Sequence, residues 1–215
     1  MDVLKNQDRQ AKYLTISSVK RIQGRARLTL SNGEELLMPR SMLKERPYKC
    51  AMPFDRESFD AFLKERAYPF AMEKAIALLA TRSRTEKEIV DALRGNAYPE
   101  AAIARVMQRL NEAGYVNDRD FAQQWAASRS NKGMGARRIR CELQRKGIDR
   151  DDIDDVIENL DEDELIQGAV KTAQKFARGK DLSSPSDRQR IMAALARRGY
   201  DYTAAREALR CIANE

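Results

Sequence analysis

The sequence predicts a mainly α-helical protein: three tandem three-helix repeats forming an elongated, curved solenoid, preceded by a small amino-terminal antiparallel β-hairpin domain. Three observations carry this. An apolar pattern recurs three times at a period near 50 residues, helix start and stop signals fall at matching places in each recurrence, and the first 49 residues instead contain a run that alternates with period two beside a hairpin signal.

The amino-terminal stretch comes first. Ala26, Leu28 and Leu30 alternate with Arg25, Arg27 and Thr29. Asn32-Gly33 then precedes Leu36, Leu37 and Met38, the strongest short hairpin signal a sequence offers. An earlier strand around Leu14, Ile16 and Val19, turning near Gly24, makes three, about the minimum for a stable small sheet. Arg25 and Arg27 are expected to solvate its outer face. From Asp55 the period becomes helical, with Phe59, Phe62 and Leu63 on one face and Pro69 expected to close the segment.

Beyond it the chain repeats. Ile89, Leu93, Tyr98, Ile103, Val106, Met107 and Leu110 align with Ile139, Leu143, Ile148, Ile153, Val156, Ile157 and Leu160, and again with Ile191, Leu195, Tyr200, Ala205, Ala208, Leu209 and Ile212. A period of this length means stacked supersecondary units, each unable to bury its apolar face alone. The first helices are expected over about residues 70–81, 119–130 and 162–178. Thr85 with Glu88 forms a capping box, Pro99 and Pro185 suit first turns, and Asp149 and Asp201 can cap third helices. Gly147 and Gly199 suit the ends of second helices, as Gly114 does a third. The variable insertion lies between first and second helices in each unit, and such loops usually share a face. The expected boundaries are 1–50 for the hairpin domain, 51–71 for a linker helix, and 72–117, 118–160 and 161–215 for the repeats.

Composition excludes much. Apolar residues are 42% and charged residues 34%, and no apolar run approaches the roughly 20 residues that span a bilayer. Nothing resembles a signal peptide. With no histidine, an imidazole base and the commonest zinc ligand are missing. Cys50, Cys141 and Cys211 lie far apart and read as reduced thiols, so a cytoplasmic location is expected. No P-loop occurs, and the run from Asp149 to Asp155 would put Ile153 at a calcium ligand position. No catalytic residue, cofactor or metal is expected. An enzyme holding magnesium on Asp151 to Asp155 would need convergence that helical spacing denies. Trp125 and Phe121 share a helix face with Ala122 and are expected to pack in the core.

Charge is the remaining signal. The formal net charge is +7, and residues 1–49 hold eleven Lys or Arg against five acids. Between Arg129 and Arg150 there are eight bases and two acids. From Asp151 to Glu164 there are nine acids and no base, and from Lys171 to Arg198 again eight bases and two acids. Helix dipoles explain acids at helix starts and Arg145, Lys146, Arg197 and Arg198 at helix ends. They do not explain Arg137, Arg138 and Arg140, or Arg188 and Arg190, in opening turns where each positive charge costs roughly 0.3–1 kcal/mol. These arginines are therefore expected to face an anionic partner, beside a loop in which Lys132 adds charge and Gly133 and Gly135 offer a phosphate or carboxylate cradle. The candidate binding residues are Lys132, Arg137, Arg138, Arg140, Arg188, Arg190 and Arg198.

The pattern Phe121-Ala122, Trp125, Arg129, Gly135, Arg138-Ile139, Glu142-Leu143, Lys146-Gly147-Ile148 resembles the middle repeat of the RecX family, regulators of the RecA recombinase. The first unit fits through Arg82, Ser83, Glu86, Glu88 and Leu93, and through Leu110, Gly114-Tyr115 and Asp118, so the resemblance covers residues 72–215. One departure is that Asn96-Ala97-Tyr98 stands where the second unit has Lys146-Gly147-Ile148, so a different turn is expected there. The resemblance implies a non-enzymatic modulator lying in the groove of the RecA filament on single-stranded DNA, restraining recombination, ATP turnover and repressor cleavage. Weak direct DNA binding, no membrane and a monomer are expected with it. The alternative is a plain DNA-binding protein whose repeats act as helix-turn-helix units.

Overall fold

A computed structural model describes residues 14–213. Residues 1–13, with Lys5, Arg9 and Lys12 of the basic amino-terminal stretch, and the last two residues of the third repeat lie outside the described residues. The chain divides between Val116 and Asn117 into two units.

In the first unit, strands β1 (Leu14–Ile22), β2 (Arg25–Leu30) and β3 (Glu35–Pro39) form an antiparallel meander. Ala26, Leu28 and Leu30 are buried, as the alternation requires; Ala26 and Leu28 pair across to Met38 and Leu36, and Leu30 pairs to Ile16. At the hairpin tip Asn32 Oδ1 accepts from the Glu34 N–H at 3.0 Å, and Gly33 takes φ +85°. A further strand, β4 (Pro53–Phe54), adds to the far side of β1, giving the order β3-β2-β1-β4. With two residues it has no period to read, so the sequence does not announce it. A short 3₁₀ helix, Arg40–Lys44, follows β3.

Helix α1 (Arg56–Leu79) is capped by Asp55, which accepts from the Ser58 N–H at 2.8 Å. It runs unbroken through Pro69, contrary to the expectation that this proline ends a linker helix. The expected linker and the first helix of the first repeat are therefore one helix. Proline inside a helix costs about 3 kcal/mol. Here Pro69 is on the exposed side, while Ala67, Ala71 and Ala75 form a fully buried stripe that holds the helix against its neighbours. Helices α2 (Glu86–Gly95) and α3 (Glu100–Glu112) complete the three-helix unit, and α1 and α3 pack together. Thr85 caps α2 through the Glu88 N–H. The sheet and these helices share one hydrophobic core, from Ile16 to Val116.

The second unit holds α4 (Asp118–Ser130), α5 (Ala136–Lys146) and α6 (Arg150–Glu158), then α7 (Glu162–Ala177), α8 (Pro185–Arg197) and α9 (Tyr202–Ala213). Each triplet has its own core, one around Ile139 and Leu143, the other around Ile191 and Leu195. All the aligned apolar positions are buried or half-buried, which is the physical content of the repeat. Asp149 and Asp201 cap α6 and α9 as expected. Among the described residues no helix is long and apolar enough to cross a membrane.

The expected difference in the first repeat's turn does not occur. Ala97 takes φ +62°, as Gly147 and Gly199 take +82° and +91°. In all three turns the same two bonds close the helix, the first-unit pair being Ala97 N–H to Arg94 O at 2.8 Å and Tyr98 N–H to Leu93 O at 3.2 Å. The buried Tyr98 side chain sets this turn more strongly than the residue at its apex. An L-residue there costs about 1–2 kcal/mol, partly offset by the lower unfolded-state entropy of alanine. Ala97→Gly is accordingly expected to stabilise the protein by about 0.5 kcal/mol, read as a higher urea midpoint at unchanged slope.

Candidate anion-binding groove

The start of α5 is the expected cradle, and two of its amides are already occupied. Gly135 N–H donates to Arg198 O at 3.0 Å and Arg137 N–H to Gly199 O at 3.1 Å. Gly133 and Met134 donate back to Ser130 and Arg129 carbonyls. Those first two acceptors are carbonyls of the turn that follows α8, so the end of α8 meets the start of α5. Backbone oxygens of the same chain thus take two of the amides that would draw an anion to this helix start. The cradle expected there is closed from within. The approach depends on glycine at both ends. A Cβ at Gly135 would overlap the Gly199 carbonyl, and one at Gly199 would overlap the Arg138 backbone.

Three of the predicted arginines are paired within the chain. Arg138 Nε donates to Glu142 Oε1 at 3.1 Å, Arg140 pairs with Asp154, and Arg190 Nη1 donates to Asp187 Oδ1 at 3.1 Å. Glu142 is a hub, since its other oxygen accepts from Arg129 Nε at 2.7 Å and from Trp125 Nε1 at 3.2 Å. Arg129 and Lys146 lie 4.1 and 4.2 Å from the Trp125 ring centre, and Phe121 stacks on that ring. The residues that carried the family resemblance are thus an architectural lock. Burial works against the Glu142 charge, but hydrogen bonds from Arg138, Arg129 and Trp125 and the positive charge of Arg129 outweigh it and hold the carboxyl below its ordinary value.

The rest of the predicted set separates. Among the described residues, Lys132, Arg137, Arg188 and Arg198 make no ion pair or side-chain hydrogen bond. Arg188 stands exposed on α8, and Arg137 borders a different, mainly apolar depression with Met192, Tyr202 and Leu209. Lys132 and Arg198 alone come together. They meet Lys171, Lys175 and Arg178 around a groove of about 670 Å³ that no carboxylate lines. Its wall is one face of α7, on which Gly168, Lys171, Thr172 and Lys175 recur at helical spacing. The loop can approach that face because residue 133 is glycine: a Cβ there would lie 2.9 Å from Thr172 Oγ1, at φ +70°.

Lys171, Lys175 and Arg178 escaped the sequence argument because a positive charge near a helix end is ordinary. Their spacing was the available signal. Like charges 4 Å apart repel by about 1 kcal/mol in water, and less when farther apart. Five cations around one groove therefore carry a modest cost that a phosphate-bearing ligand would reverse.

Residues 71–110, 117–157 and 162–209 match the RecX first, second and third three-helix domains in turn. The chain is 37% identical over 138 residues to the regulatory protein RecX of Mycolicibacterium vanbaalenii, spanning 60% of this chain and 75% of that one. It is 35% identical over 140 residues to that of Chlorobium phaeobacteroides, spanning 65% and 91%. A crystal structure of regulatory protein RecX superposes with a TM-score of 0.62 at 22% identity, over 94% of this chain and 100% of that one. The structure of RecX from Lactobacillus salivarius does so at 0.65 and 22%, over 69% and 98%. These two support the fold, and the sequence matches go further: the chain belongs to the RecX family of regulatory proteins.

Proposed function

We propose that this protein modulates the RecA recombinase without chemistry of its own, by docking on the filament RecA forms on single-stranded DNA. The basic groove of Lys132, Lys171, Lys175, Arg178 and Arg198 takes phosphates of the bound strand. Family membership supports the choice of RecA. The single observation that carries the contact is the convergence of five cations on one groove without a carboxylate. The nine acids from Asp151 to Glu164 lie next to it in sequence, and a filament of protein and DNA, presenting both signs, can use such alternation to fix register. Docking there restrains ATP turnover, strand exchange and repressor cleavage.

The test is DNA-dependent ATP hydrolysis by the cognate RecA, titrated with the wild type and with Lys171→Ala/Lys175→Ala/Arg178→Ala. The wild type is expected to lower the rate, and the triple variant to need at least about tenfold more protein, a loss of about 1.4 kcal/mol. Its salt slope should fall by about one unit per phosphate contact removed. An unchanged rate with the wild type overturns the reading. Equal affinity for naked DNA and for the filament would instead establish a plain DNA-binding protein.

A further inference from the structure

The charge excess of the amino-terminal stretch has a location that the RecA reading does not use. Arg21 at the end of β1, Arg40 and Lys44 on the 3₁₀ helix, and Lys74 on α1 surround a second groove, of about 600 Å³, in the first unit. No carboxylate lines it. Among the described residues none of the four cations forms an ion pair, whereas Arg27, Arg56 and Arg66 nearby in sequence are all paired with glutamates.

The walls come from four separate segments and are fastened to one another. Tyr98, buried in the α2–α3 turn, donates its hydroxyl to Phe70 O on α1 at 3.1 Å and accepts from Ser41 Oγ on the 3₁₀ helix at 3.0 Å. Arg40 N–H donates to Gly24 O at 3.1 Å, which ties the 3₁₀ helix to the β1–β2 turn. Asn96 Nδ2 donates to Ala92 O, and the rest of its amide lies against Gly24, where any side chain would collide with it. The four charges are therefore mounted on a preorganised frame, the condition under which ordering costs least.

We propose that this groove binds phosphate groups. Four positive charges without a counter-ion suit a ligand of concentrated negative charge: a phosphomonoester carries about −1.5 to −2 at pH 7, where a carboxylate brings only one charge. Guanidinium forks and lysine ammoniums are also the side chains that phosphate oxygens select. The phosphate can arrive on a small molecule or on a nucleic-acid strand, and both sources use the same chemistry.

The experiment follows backbone amide shifts of Gly24, Ser41 and Asn96 in the full chain carrying Lys171→Ala/Lys175→Ala/Arg178→Ala, which removes the other groove from competition. One arm titrates sodium phosphate, the other a short oligothymidylate. Shifts at these amides in at least one arm are expected, and Arg40→Gln/Lys44→Gln should raise the midpoint at least about tenfold. Lys74→Gln, on a different element, should weaken the same response, which separates lost charge from a disturbed 3₁₀ helix. A response to phosphate alone identifies a small-anion site, and one to the oligonucleotide alone a strand site. Absence of shifts in both arms, or equal midpoints in charged and neutralised chains, overturns the proposal.

Discussion

Gly135→Ala is expected to destabilise the second unit by about 3 kcal/mol, although φ at this position is an ordinary −79° that alanine adopts freely. The cause is contact: the added methyl group meets the backbone of Gly199 and Tyr200, which cannot rotate aside as a side chain can. Relieving it would part the end of α8 from α5 and break the bonds from Gly135 and Arg137 to the Arg198 and Gly199 carbonyls. At roughly 4–8 °C per kcal/mol for a domain of 60–100 residues, the unfolding midpoint of this unit should drop by more than about 10 °C. Gly179→Ala is the comparison. Its φ is +73°, but nothing lies near the position, so only the left-handed backbone penalty of about 1–2 kcal/mol applies. Should the Gly135 variant melt no earlier than the Gly179 variant, the two helices are not in end-to-end contact.

Glu142→Ala is expected to cost about 2 kcal/mol in the same unit, because it strands the half-buried Arg129 guanidinium and the Trp125 indole N–H together. The wild-type carboxylate also makes this region acid-sensitive. Its pKa in the folded chain is below the ordinary 4.5, so its contribution is fully present above that value and is lost as pH falls through the folded pKa. Trp125 is the sole tryptophan and touches the titrating group, so its emission reports the step directly. The wild type should show a fluorescence transition below about pH 4.5. Glu142→Gln, which keeps an acceptor oxygen but no charge, should lack that transition; its persistence would assign the acid step to other carboxylates.

Local signals in the sequence carried most of the architecture. Asn32-Gly33, the Thr85 cap and the aligned isoleucines and leucines each act through neighbours within a few residues, and the structure places them accordingly. Failures came where distant groups decide. Pro69 sits in a helix because a buried alanine stripe outweighs its local penalty, and Ala97 takes a glycine-like turn because Tyr98 is anchored beneath it. For the site, Arg138 and Glu142 stood four residues apart, so their pairing was legible in principle. Arg140 with Asp154, and Gly135 with Gly199, are tertiary meetings that spacing does not reveal. Of the five arginines expected at helix starts, Arg138, Arg140 and Arg190 are satisfied by acids of the same chain, whereas Arg137 and Arg188 form no ion pair among the described residues. Lys171, Lys175 and Arg178, whose charges stand around one groove, carry no such local mark.

The end-to-end joint between α8 and α5 also bears on synthesis. A ribosome releases Gly135 long before the carbonyls of Arg198 and Gly199 that complete its helix start. The middle repeat of a nascent chain thus waits, with open amides at that end, until the final repeat has emerged to close it.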